Sequence, residues 1–177
     1  HTDIAASLIA AGADMDIQNK DGNTALTLAI EKGHTDIAAS LIAAGADMDI
    51  QDKNGDTALR LAIDKGHTDI AASLIAAGAD MDIQNKDGNT ALTLAIEKGH
   101  TDIAASLIAA GADMDIQDKN GDTALRLAID KGHTDIAASL IAAGADMDIQ
   151  NKDGNTALTL AIEKGHTDIA ASLIAAG

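Results

Sequence analysis

The 177-residue sequence contains no cysteine, proline, phenylalanine, tyrosine or tryptophan. Without cysteine it can form no disulfide, no thiolate nucleophile and no cysteine-ligated zinc site. Without aromatic residues it lacks the large side chains that dominate most protein cores. Burial must therefore come from alanine, leucine, isoleucine and methionine. These absences favour thin layers of small aliphatic side chains over a single thick core.

Long apolar runs and positive charge are also scarce. No apolar stretch approaches the roughly 18 residues that a membrane-spanning helix needs. No secretory signal is recognisable. The sequence lacks an initiator methionine, which is what we expect of an excerpt or a processed chain. The formal net charge of −16 disfavours nucleic acid and anionic membranes, because their phosphates attract lysine and arginine. It favours solubility, or a basic partner.

What the sequence does contain is one segment repeated every 33 residues and marked by a histidine each time. Such a period is typical of stacked repeat arrays. Residues 1–12 form a half-unit. Five complete units follow without a linker, at residues 13–45, 46–78, 79–111, 112–144 and 145–177. We therefore predict a single solenoid domain over residues 1–177.

Two versions of the unit alternate. The units at 13–45, 79–111 and 145–177 carry threonine at Thr27 and its equivalents, and we call them T repeats. The units at 46–78 and 112–144 carry arginine there, and we call them R repeats. The differing positions, written as T residue and then R residue, are Asn19/Asp52, Asp21/Asn54, Asn23/Asp56, Thr27/Arg60 and Glu31/Asp64.

The arginine of the R repeat is expected to form ion pairs on the first helix. Arg60 stands four residues before Asp64, a spacing that brings two helical side chains together. Contact with Glu31 or Glu97 in the adjacent repeats is a further expectation. The alternative is a solvated arginine without a measurable role, since exposed ion pairs contribute little to stability.

Each complete unit predicts two short helices. In the first T repeat, Thr24 is a good N-cap for a helix over residues 25–32, and Gly33 ends it. A second helix begins near Thr35 and stops at Gly45. Neither helix is long enough to persist alone in water, where about 12–15 residues is marginal, so stacking must stabilise both. Helical spacing predicts a buried face composed of Leu26, Ala29, Ile30, Ile37, Ala38, Leu41 and Ile42.

The repeated pattern resembles the ankyrin repeat over the whole chain. The matching residues of the first T repeat are, in order, Gly22, Thr24, Leu26, Leu28, Ala29, Gly33, His34, Ile37, Leu41, Gly45, Ala46 and Asp47. The Thr-Pro-Leu-His of that family is here Thr-Ala-Leu-Thr or Thr-Ala-Leu-Arg, so the proline and the histidine are missing. The resemblance implies an all-α ankyrin-repeat solenoid of helix-turn-helix units with β-turn or hairpin-like connectors. It also implies a protein without catalytic activity or cofactor.

The resemblance further implies where a partner would bind. Ankyrin proteins usually meet partner proteins through the turn tips and the concave face of the first helices. The corresponding residues, which we call the candidate binding surface, are Gln18, Lys20, Asp21, Asn23, Glu31, Lys32, Gln51, Lys53, Asn54, Asp56, Arg60, Asp64 and Lys65. None of them is aromatic, although binding hot spots are rich in tryptophan, tyrosine and arginine.

The histidines and acidic turns do not predict a metal site. Equivalent histidines on stacked helices lie about 8–10 Å apart, too far to share a zinc ion whose nitrogen ligands sit at about 2 Å. Residues 52–56 resemble the start of a calcium loop, but Thr57 and Ile63 occupy the places where that loop needs glycine and glutamate. Turn chemistry explains these residues better, and weak cation binding is the open alternative. No nucleophile–base set is present, so we predict no enzyme.

The ends of the array predict self-association. Solenoids usually need terminal repeats with a polar outer face, and here the end helices carry apolar residues instead. The candidate self-association ends are Ile4, Leu8, Ile9, Leu158, Ile162, Ile169 and Leu173.

Two functions compete. Near-identity of the units favours a structural or self-assembling scaffold, engineered or highly homogenised, which would form homo-oligomers. The alternative is a fragment of a larger ankyrin protein that acts as a protein–protein interaction module through the candidate binding surface.

Overall fold

The computed structural model describes residues 2–177 and contains eleven α-helices and no β-strand within that range. The helices are α1 (Thr2–Ala10), α2 (Ala25–Glu31), α3 (Thr35–Ala43), α4 (Ala58–Asp64), α5 (Thr68–Ala76), α6 (Ala91–Glu97), α7 (Thr101–Ala109), α8 (Ala124–Asp130), α9 (Thr134–Ala143), α10 (Ala157–Lys164) and α11 (Thr167–Ala176). Each complete repeat therefore forms two short helices, as predicted. None of the described helices is both long and apolar enough to cross a membrane.

The chain divides into two compact units, His1–Lys86 and Asp87–Gly177. In the first unit, α3 packs on α1 and α5, while α2 packs on α3 and α4. In the second unit, α8 packs on α6, α9 and α10, and α11 packs on α9 and α10. First helices thus contact their own second helix and the first helix of a neighbouring repeat. The continuity of one array over residues 1–177 stays a prediction of the repeat pattern.

Threonine fixes the start of the first helix, and glycine fixes its end. The Thr27 amide donates to Thr24 Oγ1 at 3.3 Å, and the Thr24 amide donates to Thr27 Oγ1 at 2.8 Å. This reciprocal cap satisfies two backbone donors. At the other end Gly33 has φ of +70°, a left-handed conformation that glycine adopts at no steric cost. The chain then turns directly into α3, so the predicted caps are confirmed.

The core consists of aliphatic side chains held between neighbouring helices. Leu26 and Ile30 of α2 are 0% exposed, as the helical spacing predicted. Fully burying a leucine or isoleucine contributes about 1.5–3 kcal/mol. The buried face of the second helix is narrower than predicted, because Ile42 is only half-buried while Ala38 and Leu41 are buried.

Burial depends on the surrounding helices more than on the local sequence. The helices α1 and α5 have the same sequence, TDIAASLIA, yet α1 has no buried residue and α5 buries three. The same position is 56% exposed at Leu8 and 0% exposed at Leu74. The difference arises because α5 is covered by a first helix of its own repeat, α4, whereas no first helix packs on α1 within the described residues.

Candidate protein-binding surface

The candidate binding surface is mostly exposed in the structure. Asn23 and Asp56 are half-buried, and Arg60 is buried at 5% exposure. The exposed members are Gln18, Lys20, Asp21, Glu31 and Lys32 in the T repeat and Gln51, Lys53, Asn54, Asp64 and Lys65 in the R repeat. All but Arg60 therefore present at least part of their side chain to a partner.

The turn tips are shaped by a side chain that accepts two hydrogen bonds from its own turn. In the T repeat, Asn19 Oδ1 accepts from the amides of Asp21 at 2.8 Å and Asn23 at 3.0 Å. In the R repeat, Asp52 Oδ1 accepts from the equivalent amides at 2.7 and 2.9 Å. Asparagine and aspartate serve this turn equally, because each offers a carbonyl-type oxygen.

A row of glutamines joins the turns of successive repeats. Gln18 Nε2 donates to the Gly22 carbonyl at 2.7 Å and to the Gln51 carbonyl of the next repeat at 2.9 Å. Gln51 repeats both bonds, at 2.7 Å to Gly55 and 3.0 Å to Gln84. In the second compact unit Gln117 bonds in the same way. The sequence pattern did not reveal this role, although a glutamine at an invariant place in every connector was the available signal.

The turn tips of adjacent repeats are in direct contact. The Lys53 amide donates to the Asp21 carbonyl at 3.2 Å, and Lys53 Nζ lies 3.4 Å from Asp21 Oδ1. The ion pair is exposed and contributes little to stability. A Cβ added at Gly22 would lie only 2.9 Å from the Asp52 Cα. Glycine is therefore required for the tips to approach so closely.

The first T repeat and the first R repeat enclose an open groove of about 510 Å³. Leu28 and Leu61 contribute apolar surface to it, and both are half-buried. Its polar lining consists of Asn19, Asp21, Asn23, Glu31, Asp52, Lys53, Asn54 and Lys65. The structure thus brings about half of the candidate binding surface into one concave site of mixed charge.

The arginines of the R repeats turn inward. Arg60 Nε donates to Asp56 Oδ1 at 2.6 Å, and Arg126 Nε donates to Asp122 Oδ1 at the same distance. Both pairs join the arginine to the aspartate four residues earlier, which is the direction in which long helical side chains lean. The pairing of Arg60 with Asp64 stays a prediction, and at the equivalent place in the other R repeat Asp130 pairs with Lys164 of the next repeat at 2.8 Å.

The pair between Asp130 and Lys164 makes one repeat junction sensitive to acid. The hydrogen bond from Lys164 lowers the pKa of Asp130, assisted by the charges of Lys164, Lys131 and Arg126 and opposed by partial burial. A lowered carboxyl pKa stabilises the folded state at neutral pH. That stabilisation is lost as the pH falls through the lowered pKa.

Histidines of several repeats lie close to the preceding repeat. A Cβ added at Gly33 would lie 3.6 Å from His67 Cε1, and Gly99 stands in the same relation to His133. Within residues 2–177, no group of three or more histidine, aspartate or glutamate side chains is placed to hold a metal ion. His67 and His133 therefore lie beside the glycine that ends the first helix of the preceding repeat.

The candidate self-association ends are only partly exposed. Ile4, Leu8 and Ile162 are exposed, and Ile9 and Leu158 are half-buried. The expectation that Ile169 and Leu173 face outward is wrong, since they are 2% and 4% exposed. Both lie on α11, which packs against α9 and α10.

Comparison with known proteins gives a consistent result. The family model described as "Ankyrin repeats (3 copies)" matches residues 1–85, 69–151 and 94–177. The crystal structure of EF0377, an ankyrin repeat protein, matches with a TM-score of 0.86 at 31% sequence identity, over 98% of this chain and 91% of that chain. Comparison with curated protein sequences gives no match.

The fold and these matches define a repeat protein built of stacked helix pairs. The chain belongs to the ankyrin repeat family. The predicted all-α ankyrin solenoid fold is confirmed. Ankyrin repeats mediate protein–protein interactions or serve as scaffolds, and the family is in general non-enzymatic.

Substituting the turn glycine tests the contact between turn tips. Gly22→Ala and Gly154→Ala both place alanine at φ near +80°, which costs about 1–2 kcal/mol in each case. Only Gly22 faces the backbone of another repeat, because a Cβ at Gly154 would meet nothing within 4 Å. We expect urea unfolding to show a further loss of about 1–3 kcal/mol for Gly22→Ala. Equal losses in the two variants would show that the tips are not in tight contact.

Proposed function

We propose that the chain is a non-catalytic scaffold that binds a partner protein through the candidate binding surface. The observation that carries this proposal is that different groups in the turns hold the repeats together and face the solvent. Backbone groups and glutamine amides hold the tips of adjacent repeats together, while Lys20, Asp21 and Lys53 keep their charged ends exposed. A rigid platform with exposed polar side chains binds at a low entropic cost.

The groove of the first compact unit supports the same surface. It combines apolar contact from Leu28 and Leu61 with charged side chains of both signs. Sites that bind a ligand typically pair apolar lining with a few oriented polar groups. The absence of aromatic residues from the chain means that any aromatic anchor must come from the partner.

The charge of the chain supports a basic partner. The net charge of −16 creates an attractive field for a cationic surface and accelerates its association. The two arginines are buried in ion pairs with aspartate, so neither presents its positive charge directly to a partner. We therefore propose a partner segment rich in lysine or arginine, whose binding weakens as the salt concentration rises.

Neutralising acidic residues in the groove tests this proposal. Peptides are first selected against the full chain from a random library, and we expect them to be enriched in lysine and arginine. The double variant Asp21→Asn with Glu31→Gln removes two groove charges. We expect it to weaken binding about tenfold, equivalent to about 1.4 kcal/mol.

The matched control is the double variant Asp36→Asn with Asp69→Asn. These two aspartates are exposed at the start of second helices and lie outside the groove, so the change in net charge is the same. We expect this control to weaken binding by less than about threefold. An equal loss in both double variants, or peptides without a basic bias, would contradict the proposed site.

Self-assembly is the second candidate function, and exposed apolar side chains favour it. Ile162 and Ile174 are 64% and 67% exposed at one end of the second compact unit. Near-identity of the repeats supports an engineered or homogenised array for such a structural role.

Sedimentation velocity over a range of concentrations tests self-assembly. We expect the average mass to rise with concentration and Ile162→Lys to restore the monomer, because a charge at the apolar face opposes its burial. Ala138→Lys introduces the same charge at an exposed site on α9 and should leave association unchanged. A monomer at every concentration would exclude this second candidate.

A further inference from the structure

The arginine of an R repeat forms hydrogen bonds to the T repeat that follows it, and we call this set of bonds the arginine clasp. In the second compact unit, Arg126 Nε donates to Asp122 Oδ1 at 2.6 Å. Its Nη1 donates to the backbone carbonyls of Thr156 at 2.7 Å and Asn155 at 3.2 Å. The Arg126 side chain is 7% exposed. Every repeat offers such carbonyls, so the clasp alone does not select the type of repeat that follows.

The aspartate of the clasp also meets a side chain of the next repeat. Asn151 Nδ2 donates to Asp122 Oδ1 at 3.4 Å. The first compact unit contains the same contact, from Asn85 Nδ2 to Asp56 Oδ1 at 3.5 Å. Both asparagines belong to T repeats, and R repeats carry aspartate at that position, as at Asp118. An R repeat in this place would therefore set a second carboxylate against the half-buried Asp122.

Turn chemistry does not explain why the T repeat has asparagine here. Asn151 Oδ1 accepts from the amides of Asp153 and Asn155, both at 3.0 Å. Asp118 Oδ1 makes the two equivalent bonds at 2.8 and 2.9 Å. The turn accepts either residue equally well. What differs is the preceding repeat, because only an R repeat presents an aspartate to this position.

The junction from a T repeat to an R repeat has a different chemistry. There the T repeat has the neutral Asn23 in place of the aspartate, so an aspartate in the next turn meets no opposing carboxylate. An ion pair joins the tips instead, between Asp21 and Lys53 at 3.4 Å and between Asp87 and Lys119 at 3.3 Å. The junction from an R repeat to a T repeat thus pairs an aspartate with an asparagine, whereas the junction from a T repeat to an R repeat pairs an aspartate with a lysine.

We propose that Asp122, Arg126 and Asn151 form a selectivity cluster that admits a T repeat and rejects an R repeat as the next neighbour. The equivalent contact between Asp56 and Asn85 acts in the same way in the first compact unit. The cluster thereby accounts for the absence of two consecutive R repeats along the chain.

Converting the asparagine to the residue of the other repeat type tests the cluster. Asn151→Asp keeps the turn bonds but places two carboxylates at the junction. We expect it to lower the Tm of the full chain at neutral pH by about 2–4 °C. The control is Asn19→Asp, in a turn with the same two internal bonds and no side-chain bond from Asn19 to another repeat. We expect the control to leave the Tm unchanged.

The pH dependence separates charge repulsion from a simple packing defect. Besides Arg126, Asp122 has Asp118 in its own turn, and Asp130, paired with Lys164, lines the same small cavity of about 180 Å³. Two facing carboxylates repel each other when both are ionised, so the penalty applies at neutral pH and is relieved as the pH falls toward about 4, where a carboxylate gains a proton. The Tm difference between Asn151→Asp and the native chain should therefore shrink on acidification.

A charge swap provides the second check. Asp122→Asn combined with Asn151→Asp restores one carboxylate and one amide at the junction. We expect the double variant to lose less Tm than the sum of its single variants, as coupled sites do. Equal effects of Asn151→Asp and Asn19→Asp, a penalty independent of pH, or strict additivity in the double variant would each overturn the proposal.

Discussion

The packing of each short helix against its neighbours is the interaction on which the rest of the structure depends. A first helix of seven residues, such as α2, is too short to persist alone in water. It survives because Leu26 and Ile30 are fully buried by adjacent helices. No aromatic side chain is available to form a central core. Stability is therefore distributed over many similar contacts between nearest neighbours, as in other repeat arrays.

The sequence predicted most of the fold because its signals are local and repeated. Thr24 and Gly33 mark helix ends through backbone chemistry that needs no tertiary partner. The pairing of Arg126 with Asp122 was missed because Asp122 lies before the start of α8, outside the helical spacing that predicts such pairs. The burial of Ile169 and Leu173 was also missed, because it depends on how α11 packs on α9 and α10.

The residues of the candidate site were predicted from the sequence, but the hydrogen bonds that join neighbouring repeats beneath it were not. The resemblance identified the turn tips and the first-helix face, and the structure brings Asp21, Glu31 and Lys53 into one groove. The glutamine bonds between turns and the asparagine–aspartate contact join residues 33 and 29 positions apart. Such contacts require knowledge of which repeats lie side by side. Their traces in the sequence were the glutamine present in every connector and the alternation of asparagine with aspartate.

The central claim is that packing against the surrounding helices, rather than intrinsic helix propensity, stabilises each helix. Amide hydrogen exchange of α1 and α5 tests it most directly, because the two helices have the same nine-residue sequence. Segmental isotope labelling and NMR are needed, since proteolytic peptides from identical repeats cannot be told apart. We predict strong protection in α5 and exchange close to that of an unfolded chain in α1, which buries no residue. Equal protection of the two helices would contradict the account.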